Sequence, residues 1–117
     1  MQQQRAIFAS AQEPKEPIAP GLYKRRLASG ASLQISEFFF DPGVEEGGHT
    51  HQADEVGYIV AGEFDIRLGN ESRRVGPSDS YSLPAGVTHA VKCVRSGSYI
   101  LVKLRGPDRG GAEHRQG

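Results

Sequence analysis

Three of the chain's four histidines and one glutamate stand where they could share a metal ion. His49 and His51 flank a single threonine, and Glu55 follows after a turn-sized gap. His89 closes a second piece, Pro84-Ala85-Gly86-Val87-Thr88-His89. On one extended strand His49 and His51 project from the same face, about 7 Å apart along the chain. Neutral imidazoles with one carboxylate suit first-row divalent ions, so the set is read as the ligands of one Fe, Mn, Ni, Co or Zn, and affinity alone does not choose among them. An ion preferring five or six ligands keeps one or two positions open beyond these four, which is the condition for metal-assisted chemistry on a small molecule. His114 lies in a polar tail outside both pieces and is read as inert.

Strands must carry these groups. Fifteen glycines and seven prolines punctuate short apolar runs, and no stretch shows a 3.6-residue stripe, so the chain is read as all-β. The expected strands are 31–40, 54–60, 62–68, 71–75, 80–83, 89–94 and 98–104, with tight turns at Gly69-Asn70 and Gly76-Pro77-Ser78-Asp79. Phe64, Ile66 and Leu68 alternate with Glu63, Asp65 and Arg67, the pattern of a half-buried strand. Phe38-Phe39-Phe40 is apolar on both faces, which calls for a second sheet or a partner subunit over the outer one.

Period-two parity assigns the neighbours of the ligands. Gly57 shares the parity of Glu55 and is expected to leave room beside the ion, while Val91 and Cys93 share that of His89 and are expected to line the cavity. Tyr58 has the opposite parity and is read as packing. Glu45 and Glu46 are read as an exposed loop, Lys24-Arg25-Arg26 as a solvated strand face, and Cys93 as a small buried hydrophobe.

At 117 residues the chain is one domain. Pro14, Pro17 and Pro20 mark residues 1–20 as an extended arm, 21–105 as the barrel, and the glycine-rich, charged stretch 106–117 as a flexible tail. Fourteen basic and fourteen acidic residues cancel, which argues against nucleic acid as a partner. A single cysteine excludes an intramolecular disulfide, and no apolar run reaches the length of a membrane span or a signal-peptide core. The expected location is the cytoplasm, with a small-molecule ligand or substrate and no membrane partner.

The residues resemble the cupin superfamily. Gly43, His49, His51, Glu55 and Gly62 match its first motif, G-x5-H-x-H-x3-E-x6-G, at every fixed position, and Pro84, Gly86 and His89 match the second, G-x5-P-x-G-x2-H-x3-N. Ser78 stands where the second motif has Gly, and Cys93 where it has Asn, which removes that amide from the barrel interior the resemblance implies. The resemblance spans about residues 31–104. It implies a double-stranded β-helix, or jelly-roll barrel, with the metal near one open end, and a homodimer that shares N-terminal strands. Single-domain cupins of this layout include dioxygenases, isomerases or ring-opening enzymes acting on sugar acids, lyases and decarboxylases. A metal-dependent enzyme is therefore the first expectation, and a non-catalytic small-ligand or sensor barrel the alternative.

Overall fold

The computed structural model describes residues 8–105, and every regular element among them is a strand. The strands are β1 (Glu16–Ala19), β2 (Leu22–Ser29), β3 (Leu33–Phe40), β4 (Glu45–His49), β5 (Glu55–Leu68), β6 (Glu71–Val75), β7 (Ser80–Leu83) and β8 (His89–Leu104). All pairings are antiparallel. No helix among the described residues is long and apolar enough to cross a membrane. The all-β jelly-roll expectation is thus met.

β5 and β8 do most to organise the molecule. The sequence reading divided each into two strands, yet each runs unbroken, β5 for 14 residues and β8 for 16. The first half of β5 pairs with β7 and with the second half of β8. The second half of β5 pairs with β6 and with the first half of β8. One sheet therefore reads β1-β2-β3-β8-β5-β7 and the other β4-β8-β5-β6, with the same two long strands bent through both.

Glycine is required at the bend. A Cβ on Gly97 would overlap the Ala61 carbonyl, and one on Gly62 would overlap the Arg95 carbonyl. Gly62 also holds φ at +82°, a region that side-chain-bearing residues enter only under strain. Pairing is irregular here, between Ile59 and Phe64, and the inward face of β5 switches from Glu55, Gly57 and Ile59 to Phe64 and Ile66. A glycine inside an alternating run marks a bulge in this case, where the expected strands 54–60 and 62–68 are joined into one.

The two sheets face each other over a core of Leu22, Phe38, Phe40, Ile59, Phe64, Ile66, Val75, Val91, Cys93 and Tyr99. Phe40 and Phe64 meet edge to face with centroids 5.4 Å apart, and Tyr99 packs on both. Phe39 points the other way, where the Lys15 ammonium lies 4.0 Å from its ring centroid and the Arg25 guanidinium 5.0 Å. Two cations of the same chain thus flank the outer face of the triple-phenylalanine strand.

The ends of the barrel differ from expectation in detail. Residues 16–19, assigned to an arm, form an edge strand paired to β2, a position that tolerates Pro17. β4 was read as loop because Glu45-Glu46-Gly47-Gly48 has no apolar alternation; its ladder partners lie on β8. Residues 1–7 and 106–117, His114 included, lie outside the described residues. At Ser78 the φ of +74° keeps the left-handed conformation suited to glycine, so the substitution leaves the turn geometry in place at the cost of backbone strain.

Candidate metal centre

The ends of β5 and β8 remote from the bend come together at the barrel mouth, where the charged inward-facing residues collect. Glu55 opens β5 and His89 opens β8; both are buried, with 5% and 7% of their surface exposed. His51 belongs to the connection between β4 and β5, because β4 ends at His49, so the expectation that His49 and His51 share one strand is corrected. The His49 backbone stands opposite His89 in the β4–β8 ladder, and its side chain lies outside the described residues.

Two hydrogen bonds fasten this connection to the turn before β8. The Gly86 N–H donates to the His51 carbonyl at 2.9 Å, and the Ala85 N–H donates to Asp54 Oδ1 at 2.9 Å. Gly86 takes φ +80° in that turn. The Pro84–His89 piece thereby sets both where β8 begins and where His51 is held. His51 Nδ1 lies 3.3 Å from Glu55 Oε2, and its ring stacks on that of His89 with centroids 4.9 Å apart. His51 thus bridges the sheet that carries Glu55 and the sheet that carries His89.

Burial raises the Glu55 pKa above its ordinary value, and the positive charges of Lys103 and Lys24 partly oppose that shift. A buried carboxylate beside two imidazoles is a donor set that suits a divalent cation, whose charge offsets the desolvation of the carboxylate. Among the described side chains no three of His, Cys, Asp and Glu converge tightly enough to form a completed cation site. His51, Glu55 and His89 are adjacent without being aimed at one point. The chemistry of the donors fits a metal, and the fourth expected ligand is the undescribed His49 side chain.

A cavity of about 30 Å³ lies directly inside, lined by His51, Glu55, His89, Val91, Glu46 and Tyr81 among others. Val91 is where its parity placed it. Gly57 does not leave open room: a Cβ there would overlap the Tyr81 ring, so the glycine makes space for a phenol from β7. Cys93 does not line this cavity; it is fully buried in the core, with Sγ 3.3 Å from the Arg95 carbonyl oxygen, and burial raises its thiol pKa. Tyr58 faces outward and donates to Ser78 Oγ at 3.4 Å.

Glu46 and Tyr81 are the cavity groups that the sequence reading missed or set aside. Glu46 pairs with Val91 across the ladder, shares its inward face and is half buried. Burial, reinforced by Glu55 and Glu46, holds the Tyr81 phenol far above its ordinary pKa, so it keeps its proton at neutral pH. The signal for Tyr81 lay in Gly57, since a glycine within a buried strand often marks a close approach from elsewhere.

Fold and site together describe a small two-sheet barrel whose mouth gathers imidazole and carboxylate side chains. A family model described as a cupin domain matches residues 36–102, more than half of the chain, and the protein belongs to the cupin family. It is similar to the pectin degradation protein KdgF of Dickeya dadantii (strain 3937), 24% identical over 106 residues, covering 90% of this chain and 96% of that protein. Among solved structures it resembles an RmlC-like cupin from Shewanella frigidimarina NCIMB 400, with 30% identity and a TM-score of 0.80 over 93% of this chain and 97% of the other. KdgF from Halomonas sp. superposes with a TM-score of 0.79 at 25% identity, over 88% of this chain and 96% of that one.

Proposed function

We propose that the protein is a small metal-dependent enzyme acting on a small organic molecule at the barrel mouth, with His49, His51, Glu55 and His89 holding one divalent ion of Fe, Mn, Ni, Co or Zn. The observation that carries the reading is the placement of His51 between buried Glu55 and buried His89, at 3.3 Å from the first and stacked on the second. Two buried donors and a half-buried third, from three separate segments, have no packing reason to meet at one rim.

When bound, the ion supplies Lewis acidity toward a substrate oxygen. This chain's residues supply the remainder. Tyr81 presents a protonated hydroxyl at the cavity wall and serves as a hydrogen-bond donor, while Glu46 brings a second carboxylate to the same wall. Leu83, Leu101 and Phe38 exclude water behind them. Two groups able to move or hold a proton favour turnover over passive ligand sensing. Similarity to the KdgF proteins, one of which is named for pectin degradation, favours isomerase or lyase chemistry on a sugar acid over oxygenation.

The test is elemental analysis of untagged protein prepared without nickel resin or chelators, alongside His51→Ala. About one metal per chain is expected in the parent and a sharp fall in the variant, with the β-sheet circular dichroism spectrum retained. Equal metal content in the two proteins would remove His51 from the ligand set, and a metal-free parent that takes up none of the five ions would sink the enzyme reading.

A further inference from the structure

The two sheets present opposite kinds of surface to the outside. On the second sheet, Glu45, Asp65, Arg67 and Lys92 lie together on the outer side. On the first, the outward positions of β3, β8 and the first half of β5 are largely apolar: Leu33 pairs with Leu104, Val102 with Val56, and Ile100 with Tyr58. Four of these six, and Val60 beyond them, are between 44% and 54% exposed although they are large and apolar. Hydrophobic side chains scattered singly over a surface need no explanation, whereas a contiguous patch across three adjacent strands marks a place of contact.

Among the described outward positions of this patch only Glu37 is charged, and it is already neutralised. Glu37 is buried, accepting from Arg25 at 2.9 Å and from Ser98 Oγ at 2.7 Å. A second layer can close over such a carboxylate without stranding a charge. The same property suits a surface that meets its own copy, because a two-fold axis sets like groups against like, and an unpaired Glu37 would face its counterpart. The area is also sufficient. Six strands about 4.8 Å apart, each giving four to eight residues about 3.3 Å apart, make a footprint of roughly 600 Å² for the first sheet. Two copies laid face to face would remove about 1,200 Å² from water, the lower end of the range for stable association.

We infer that this outer face, with Leu33, Val56, Tyr58 and Leu104 exposed on it, is covered by the same face of a second copy of the chain in a two-fold dimer. β1 is paired to its own β2, so the contact needs no exchange of strands between copies. The second sheet keeps its outward charges in water. Leu104 gives the contact a bearing on the barrel mouth, because it lies on this face and also lines a space of about 390 Å³ whose inner wall includes His51 and Glu55. A copy seated over Leu104 therefore borders that space from outside. Association of this kind requires no metal.

Sedimentation equilibrium of the full-length protein from about 1 to 100 μM tests this. Twice the chain mass is expected at the upper end of that range. Tyr58→Glu, which places a charge at an exposed position of the patch, should weaken the dimer at least about tenfold while keeping the parent's circular dichroism spectrum. Arg67→Glu, on the outer side of the second sheet, should leave the association constant within about twofold of the parent's. If Tyr58→Glu loses that spectrum, Leu33→Glu at the far corner of the patch takes its place with the same expected weakening. A parent that stays monomeric at about 100 μM, a dimer unmoved by the added glutamate on the patch, or a dimer that Arg67→Glu disrupts would each overturn the inference.

Discussion

The bent end of the barrel and its mouth are built from the same strands with the same alternation, yet they bury opposite kinds of side chain. Near the bend, Phe40, Phe64, Ile59 and Cys93 are the largest fully buried side chains among the described residues, and the contact of the two phenylalanine rings is that of an ordinary core. At the mouth the inward positions of β5 and β8 carry Glu55, His89 and Lys103. Burying a carboxylate costs stability unless it is paired, and here burial raises the Glu55 pKa even beside His51 and with Lys103 and Lys24 near. One end thus buries the apolar core, and the other buries ionisable groups whose desolvation works against stability.

Phe64→Ala would break this contrast most severely. It removes a fully buried ring that touches Phe40 and Tyr99 and should cost about 3–5 kcal/mol in denaturant unfolding. A cost below about 1 kcal/mol would mean that the bend is not the stabilising end. Gly57→Ala sharpens the contrast from the mouth. The new methyl group must displace the Tyr81 phenol, so a moderate loss of about 1–3 kcal/mol is expected, with a change in the tyrosine near-ultraviolet signal. An unchanged tyrosine signal would show that the phenol does not rest against Gly57.

The smallest effect belongs to the outer surface, which neither end should feel. Arg74 hydrogen-bonds the exposed Asp65 carboxylate and holds its pKa below the ordinary value. The folded pKa is depressed, so the small stabilisation is present above the unfolded value of about 3.9 and is lost as pH falls through the lower folded value. Asp65→Asn should therefore lower stability slightly at neutral pH, a difference that closes as pH falls below about 4 and leaves the variant's profile flatter there. A large change at neutral pH would mean that the pair is coupled to the interior.

Much of this arrangement was legible in the residues. The alternation of Phe64, Ile66 and Leu68 gave the correct inward face, and the parity of Glu55 and Val91 aimed both at the cavity. Short-range periodicity could not show that β5 continues through Gly62 and β8 through Gly97, because a glycine in an alternating run reads equally well as a turn or a bulge. It also could not show β4, whose register comes from β8 some forty residues later in the chain. The same blindness explains Glu46, read as loop, and Gly57, whose vacant side is filled by a strand that the local sequence does not mention. Lys24 and Arg25, read together as one solvated face, point to opposite sides of β2, the first toward Phe38 and the second to Glu37 at 2.9 Å.

The crossing of Gly62 over Gly97 bears on how the molecule can come apart. Each sheet borrows half of β5 and half of β8, so the chain cannot be divided into two pieces that each retain a complete sheet. A fragment ending after the first motif would keep His49, His51 and Glu55 in its sequence but lose the β8 ladder that borders β4 and β5. The three residues would then be tethered donors on a loose peptide. The proposed ion site would in that sense be a property of the whole cooperative unit, and metal uptake should be lost together with the fold in a single step.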